Sequence, residues 1–490
     1  MLRVSIGLPS GCTANLSLSQ DSTVGDLKVL AQKSFGQFLR LVTATGHVLT
    51  NPLASLEAAG IEEGTHLTTV AQQAQISATE RAFAVWYVGG ERIVTWGDRS
   101  FGGDSSAIQE QLKHKHMQQV QATRGAFAAV LADGSVVTWG DPAYGGESFA
   151  VRGQLRNLRQ IYAAGNVFVA ILADGSVVAW GNPNFGGDCS GVQERLRNVQ
   201  QVAATICAFA AILQNGSVVT WGDPDFGGDS SAVQQQLVNV EHIQATDKAF
   251  AAILANGSVI TWGDRKHGGD SSAVQGRLRN VQKVQATNEA FAAILADGSV
   301  VTWGDPLCGG DDSAVRHQLS AVKQIQATRR GLAGAFAATL EGGSVVTWGH
   351  PDRGGDSSAV QHRLRNVQQI HVTGEAFAAI LGDGSVVTWG HPRFGGDCSA
   401  VDTQLRAVRQ LAATRCAFAA ILQNGSVVTW GDPDFGGDSS AVQQQLVNVE
   451  QIQATAGAFA AALADGSVVT WGDPMLGGDN SAVRGQIPRL

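Results

Sequence analysis

The stretch Ala249-Phe250-Ala251-Ala252-Ile253-Leu254-Ala255-Asn256-Gly257-Ser258-Val259-Ile260-Thr261-Trp262 decides the architecture of this 490-residue chain. It predicts two strands, over 249–255 and 258–262, joined at Asn256-Gly257. Asn-Gly between apolar runs is a strong hairpin signal, because a two-residue turn needs positive φ at both positions. A shorter strand is expected upstream, at Ile243-Gln244-Ala245-Thr246. The two hairpin strands are apolar on both faces, whereas a lone hairpin would keep one face polar. The pattern therefore expects sheets stacked on sheets. Ala permits close approach, and Phe250 and Trp262 are expected to fill the gaps between neighbours.

Working outward, the same unit recurs ten times. Its tryptophans are Trp96, Trp139, Trp180, Trp221, Trp262, Trp303, Trp348, Trp389, Trp430 and Trp471, and only Trp86 stands outside the series. The interval is 41 residues except for one of 43 and one of 45. The longer intervals hold small insertions, near Lys113-His114-Lys115-His116 and around Arg330-Gly331-Leu332-Ala333. The hairpin turn is Asp-Gly or Asn-Gly except at Gly89-Gly90 and Gly342-Gly343. Residues 207–241 and 416–450 are nearly identical and lie 209 positions apart, so a block of five units was itself duplicated. A unit this short cannot bury its own apolar surface, and serial packing is required.

After each Trp-Gly comes an irregular turn containing Gly-Gly, an acidic residue, and a segment such as Ser-Ser-Ala-Val-Gln-x-x-Leu. That segment is expected to form one or two helical turns N-capped by the acid. The acids are Asp104, Glu147, Asp188, Asp229, Asp270, Asp311, Asp356, Asp397, Asp438 and Asp479. Arranged in a ring they would form a circle of negative charge, a candidate site for a cation or a basic peptide. Helix capping accounts for the same residues without a ligand. Asp223-Pro224-Asp225-Phe226-Gly227-Gly228-Asp229 superficially resembles a calcium loop, but its spacing is wrong for an EF-hand and a turn is expected. His114 and His116 have no neighbouring ligands in sequence and read as an exposed insertion.

The segments Val202-Ala203-Ala204-Thr205-Ile206-Cys207-Ala208 and Asn215-Gly216-Ser217-Val218-Val219-Thr220-Trp221-Gly222 resemble the repeat of the regulator of chromosome condensation family. The resemblance covers residues 75 to 490. It implies β-propeller blades, similar to those carried by large HECT-type ubiquitin ligases. Family roles include nucleotide exchange on a small GTPase, chromatin docking and substrate recognition. The chain departs from the family where Gly-x-x-His becomes Thr-x-x-Ala, as at Thr205 and Ala208, so no family site residue carries over. Ten blades exceed the usual four to eight. A closed or nearly closed propeller is expected, with an open superhelical stack as the alternative. An open stack would need its ends capped, by the N-terminal domain and by the tail Gly485-Gln486-Ile487-Pro488-Arg489-Leu490.

Residues 1 to 72 follow a different pattern. A hairpin is expected over 1–8 and 12–18 around Pro9-Ser10-Gly11. Asp21-Ser22-Thr23 then caps a helix with Val24, Leu27, Leu30 and Ala31 on one face. Strands are expected at 38–42, at Val48-Leu49 and at 66–70. Thr23-Val24-Gly25-Asp26-Leu27-Lys28, the 56–61 segment and this element order resemble the ubiquitin-like β-grasp domain. Ala71-Gln72-Gln73 replaces the Gly-Gly tail of a conjugated modifier. Val42 and Leu67 are the candidate remnants of the ubiquitin recognition patch. The domains are thus 1–72, ubiquitin-like, and 73–490, a mainly β ten-repeat array.

The net charge of -8 argues against a basic nucleic-acid surface. No apolar run reaches membrane-spanning length, and the N-terminus lacks a signal-peptide core, so a cytoplasmic or nuclear protein is expected. The six cysteines do not form a disulfide framework; Cys189 and Cys207 recur as Cys398 and Cys416 through duplication. No catalytic, cofactor-binding or metal-ligating residue is expected, because chemistry needs one singular site and nothing polar breaks the repeat convincingly. The expected function is a non-catalytic protein-protein interaction scaffold. Blade loops would bind a protein partner, and the ubiquitin-like domain would serve as a second docking module. The alternatives are a small-GTPase regulator and a substrate-recognition chain of a ubiquitin ligase, with a ubiquitin-pathway factor or a small GTPase as partner.

Overall fold

The computed structural model describes residues 1–8, 11–19, 21–35, 39–49, 54–71, 74–328 and 333–487. Pro9 and Ser10 of the first expected turn, Phe38, the 330–332 insertion and the tail from Pro488 lie outside the described residues. The chain is mainly β, with ten three-stranded antiparallel sheets following one four-stranded sheet.

Unit five shows how each repeat folds. Its strands are Val240–Ala245, Ala249–Leu254 and Val259–Gly263, hydrogen-bonded in chain order. The first strand begins three residues before the expected one, because a bulge between Val240 and His242 interrupts its alternation. The hairpin loop also differs from expectation. Gly257 takes φ 76°, but Asn256 is not in the left-handed region. Gly257 N–H donates to Leu254 O at 2.8 Å and Leu254 N–H to Ser258 O at 2.9 Å. The loop is therefore Ala255-Asn256-Gly257, a type I turn closed by one left-handed glycine rather than a two-residue turn. Asn256 earns its place by accepting Ser258 N–H at 2.9 Å. Glycine is required twice over, since a Cβ on Gly257 would stand 2.7 Å from Asn280 Cα of unit six.

The expected wedging of aromatic rings between sheets is seen at every seam. Phe250 stands opposite Trp262 on adjacent strands, and their rings stack 5.1 Å apart. The second strand is fully buried. Phe250, Ala252 and Trp262 pack against Ala208, Ala210 and Ile212 of unit four. The opposite face, Ala249, Ala251 and Ile253, packs against Phe291, Ala293 and Trp303 of unit six. Each seam thus sets one large aromatic pair against an alanine floor. Burying a Phe alone is worth about 1.5–3 kcal/mol.

A polar latch crosses every seam as well. Trp262 Nε1–H donates to Gly227 O of unit four at 3.0 Å, and the equivalent tryptophans of units two to ten do the same to the preceding unit. The first tryptophan, Trp96, donates to Gly477 O of unit ten at 3.0 Å. Phe83, Val85 and Trp96 share one apolar cluster with Ala458, Ala460 and Ala462. The ten sheets therefore return to their start, and the two ends cover each other. Ile487, next to the undescribed tail, joins that closing cluster.

The expected helical turns after Gly-Gly are shorter and less regular than anticipated. They form 3-10 turns in some units and simple turns in others, with one short α-helix at Gln109–Leu112. A polar network ties them back to the third strand: Thr220 Oγ1 meets Ser230 Oγ at 3.0 Å, and Gln234 Nε2–H donates to Val218 O at 3.0 Å.

The N-terminal 71 residues form their own core. Strands β1 (Leu2–Gly7), β2 (Thr13–Leu18), β3 (Leu39–Val42) and β4 (His66–Ala71) build one sheet in the order β2-β1-β4-β3, crossed by helix α1 (Val24–Phe35). The central pair β1 and β4 is parallel and the outer pairs are antiparallel. Thr23 Oγ1 accepts Asp26 N–H while Asp26 accepts Thr23 N–H, a reciprocal cap that starts α1. The strand expected at Val48-Leu49 is a single bridge from Val48 to Val42 instead. No helix among the described residues is long and apolar enough to cross a membrane.

Candidate functional site

The ten acids occupy turns. Asp229 Oδ1 accepts Ser231 N–H at 2.8 Å, and the equivalent bond recurs at every aspartate of the series. The carboxylate accepts from the residue two positions on, an Asx turn, rather than capping a helix at its own position. The Ser231 backbone N–H holds the Asp229 carboxyl below its usual range, and the same bond lowers Asp104, Asp188, Asp356 and Asp438. Asp270, which the Arg265 guanidinium also contacts at 2.6 Å, falls to about 2. None of these acids, nor Glu147, lines the cavity at the centre of the ring.

The centre of the ring is built by a different position. In unit four, Thr205 Oγ1 accepts Ala208 N–H at 3.0 Å and donates to Phe226 O at 3.0 Å. This hydroxyl clamps the turn between strands one and two against the loop that follows strand three, so both lie at one end of the sheet. The residue after the threonine then reaches across to its counterpart in the next unit. Glu80 N–H donates to Arg124 O, Arg124 to Gly165 O, Ile206 to Asp247 O and Asp247 to Asn288 O, all at 2.8–3.1 Å. Gly374 donates to Arg415 O, Arg415 to Ala456 O and, across the closing seam, Ala456 to Glu80 O. At an interstrand spacing of roughly 4.8 Å per unit, ten units set side by side make a lip about 15 Å across between backbones. Behind it lies a cavity of about 470 Å³ lined by Glu80, Arg124, Gly165, Gly374, Arg415, Ala456 and their flanking Thr and Ala residues.

Frame and lip differ in one respect. The sheets repeat with little change, but the described lip residues read Glu80, Arg124, Gly165, Ile206, Asp247, Asn288, Gly374, Arg415 and Ala456, and Arg329 of unit seven lies outside the described residues. The duplicated blocks make the contrast sharp: 207–241 matches 416–450, yet the lip residues flanking them differ, Ile206 against Arg415 and Asp247 against Ala456. Repeat-breaking polar residues therefore exist, and the fold gathers them at one mouth. The signal was present in the sequence, in the differences between copies rather than in their consensus.

A second tier surrounds the lip on the same face. The last residue of each Trp-Gly loop meets the second turn residue of the next unit. Lys248 Nζ lies 4.9 Å from the Phe226 ring centre, His267 Nε2 lies 3.7 Å from Glu289 Oε1, and Arg353 NH1 lies 2.9 Å from Glu375 Oε1. Outside them, Leu307 and Met475 are 65% and 72% exposed at loop positions that other units fill with polar or charged residues such as Asp225, Lys266 and Arg393.

The other sequence candidates separate. Leu67 is fully buried in the core of the N-terminal domain and is no part of a surface patch, because β4 turns it toward Ile6 and Leu27. Val42 is half-buried at the end of β3. His114 backbone N–H donates to Glu91 Oε2, and His116 Nδ1 lies 3.0 Å from Gly89 O. No group of metal-ligating side chains occurs among the described residues. Asp223 accepts Asp225 N–H in the turn that superficially resembled a calcium loop. All six cysteines are free thiols, and only Cys12 is exposed. Burial raises Cys207 and Cys416 to about 11 and Cys308 to about 12.

No protein-family profile matches the chain, and no curated protein matches it in sequence. Among solved structures, the computationally designed protein Ika8 is 14% identical, with a TM-score of 0.29, over 64% of this chain and 96% of its own. The ectodomain of the receptor kinase CR4 from Physcomitrella patens is 14% identical, with a TM-score of 0.30, over 61% of this chain and 75% of its own. A designed protein based on ubiquitin is 25% identical, with a TM-score of 0.13, over 14% of this chain and 87% of its own.

Proposed function

We propose that this chain is a non-catalytic protein-binding ring: a ten-bladed β-propeller of the regulator of chromosome condensation type, preceded by a ubiquitin-like domain that acts as a second docking module. The observation that carries this reading is the mixed chemistry of the lip residues, which one bonded rim holds at the mouth of a common cavity. The loops sit on a scaffold whose geometry ten aromatic pairs and ten tryptophan latches fix, which is how rigid folds present variable recognition residues. The mixed sheet and crossing helix of the N-terminal domain support a separate module, and buried Leu67 argues that it would dock through a surface other than the ubiquitin patch.

The test compares two variants of the full chain in affinity capture from a cell extract, read by quantitative mass spectrometry. One carries Glu80→Ala, Arg124→Ala, Asp247→Ala and Arg415→Ala on the lip. The other carries Arg197→Ala, Arg279→Ala, Arg365→Ala and Arg406→Ala at the opposite end. Loss of a specific protein from the lip variant alone supports the reading. Identical capture by wild type and lip variant refutes it.

A further inference from the structure

We propose that the mouth of the ring is a binding site for a carboxylate-bearing peptide segment, held between Arg124 and Arg415. This rests on the binding-ring reading and names the chemistry of what the mouth receives.

The lip carries two arginines and a glutamate side by side, flanked by Gly165 and Gly374. Arg415, Ala456, Glu80 and Arg124 come from units nine, ten, one and two, and so follow one another around the ring. Arg415 NH2 lies 3.0 Å from Glu80 Oε1, and Arg124 Nε lies 3.8 Å from the same oxygen. Two guanidinium groups thus converge on a single carboxylate, leaving one surplus positive charge within this cluster, on the side of the mouth away from Asp247. The Arg124 and Arg415 side chains are 46% and 43% exposed, against 21% for Glu80. Each guanidinium carries five donors in a planar fork suited to carboxylate, and one shared oxygen does not saturate two forks. Gly165 and Gly374 flank the arginines on either side, and Ala327 lines the same cavity. Its volume of about 470 Å³ falls within the usual range of ligand pockets.

Charge arithmetic favours a monoanion. Glu80 sits inside the site, so a phosphate dianion would face its charge at close range, while each carboxylate group of a peptide brings half that charge to the two guanidinium forks. A nucleic-acid strand would meet the same Glu80 and a chain of net charge -8. Glu80 then acts as an internal stand-in for the ligand: it holds both arginines in position when the mouth is empty and competes with an incoming carboxylate. Removing its charge should therefore tighten binding, a sign that general damage to the fold would not produce.

The experiment uses the full chain and fluorescein-labelled hexaglutamate, with hexaglutamine and hexalysine as controls, in fluorescence anisotropy at low salt. Saturable binding of hexaglutamate is expected, with neither control bound. Arg124→Gln with Arg415→Gln should weaken binding about tenfold or more, as expected for loss of charge-assisted hydrogen bonds. Glu80→Gln should strengthen it severalfold, and Arg279→Gln at the opposite end should leave it unchanged. Inorganic phosphate should compete no better than chloride at equal ionic strength. Absence of hexaglutamate binding, equal binding of hexaglutamine, or weaker binding by Glu80→Gln each overturns the proposal. Competition by phosphate well beyond chloride overturns the carboxylate assignment. If these fail while the lip variant still loses its partner from extract, the acidic ligand is wrong and the binding ring stands.

Discussion

Closure of the ring makes a quantitative prediction at Trp96. Its indole N–H donates to Gly477 O across the seam between units ten and one, as Trp262 donates to Gly227 O across an internal seam. Both indoles are 4% exposed. Trp→Phe at either site removes the donor and leaves a buried carbonyl unsatisfied, which costs about 1–3 kcal/mol. The smaller ring also leaves a void beside its stacked partner, Phe83 or Phe250, adding about 1 kcal/mol. The expected loss is thus about 2–4 kcal/mol for each, and it should be equal within error. The measurement is the urea midpoint and m-value followed by intrinsic fluorescence, with Trp96→Phe and Trp262→Phe compared side by side. An open stack would leave Trp96 at a frayed end, where its loss would barely move the midpoint. A Trp96→Phe protein as stable as wild type, beside a clearly weakened Trp262→Phe protein, would refute closure.

Other consequences are equally direct. Gly227→Ala should destabilise by roughly 2–4 kcal/mol, since φ is +87° and the new Cβ would stand 2.8 Å from Phe250 Cδ2, a clash thermal denaturation will report. Ala407 holds φ 52° where units four and five place Asn198 and Asn239, so Ala407→Asn should stabilise by about 0.5–1 kcal/mol in the same assay. Asp133 is drawn down to about 2 by the Ser135 hydroxyl, with the Ser135 N–H and Lys115 adding to it. A folded value below the unfolded one gives stability that is present above pH 4 and lost as pH falls from about 4 to 2. Asp133→Asn should flatten that part of a melting-temperature profile, and an unchanged acid slope would count against the assignment. Native protein treated with a thiol reagent at pH 8 should label Cys12 fast and the five buried cysteines only on unfolding; rapid labelling of Cys308 would contradict its burial.

Much of the unit was legible because its signals are local. The apolar run 249–255, the Asn256-Gly257 turn and the position of Trp262 follow from strand patterning and turn chemistry. The errors trace to features that pattern cannot carry. The bulge at Val240 breaks period two, so the first strand looked shorter than it is. The turn needs one left-handed residue rather than two, because the loop holds three residues, a type I turn closed by Gly257. The acids form Asx turns because the serine two residues on supplies the nearest amide. Leu67 was misplaced since a short strand such as 66–71 does not reveal which face meets the helix.

The sequence by itself determined the repeat, its strands, and the need for each unit to lean on a neighbour, since periodicity and apolarity are properties of the chain taken locally. Only the tertiary structure decided that unit ten meets unit one and that the residue leading each turn between strands one and two, such as Glu80 after Thr79, joins the lip of a common mouth. Both are consequences of a small rotation between successive sheets, accumulated over ten of them. No single 41-residue interval encodes that sum, and it is what brings Arg415 to Glu80 across some 335 residues of chain.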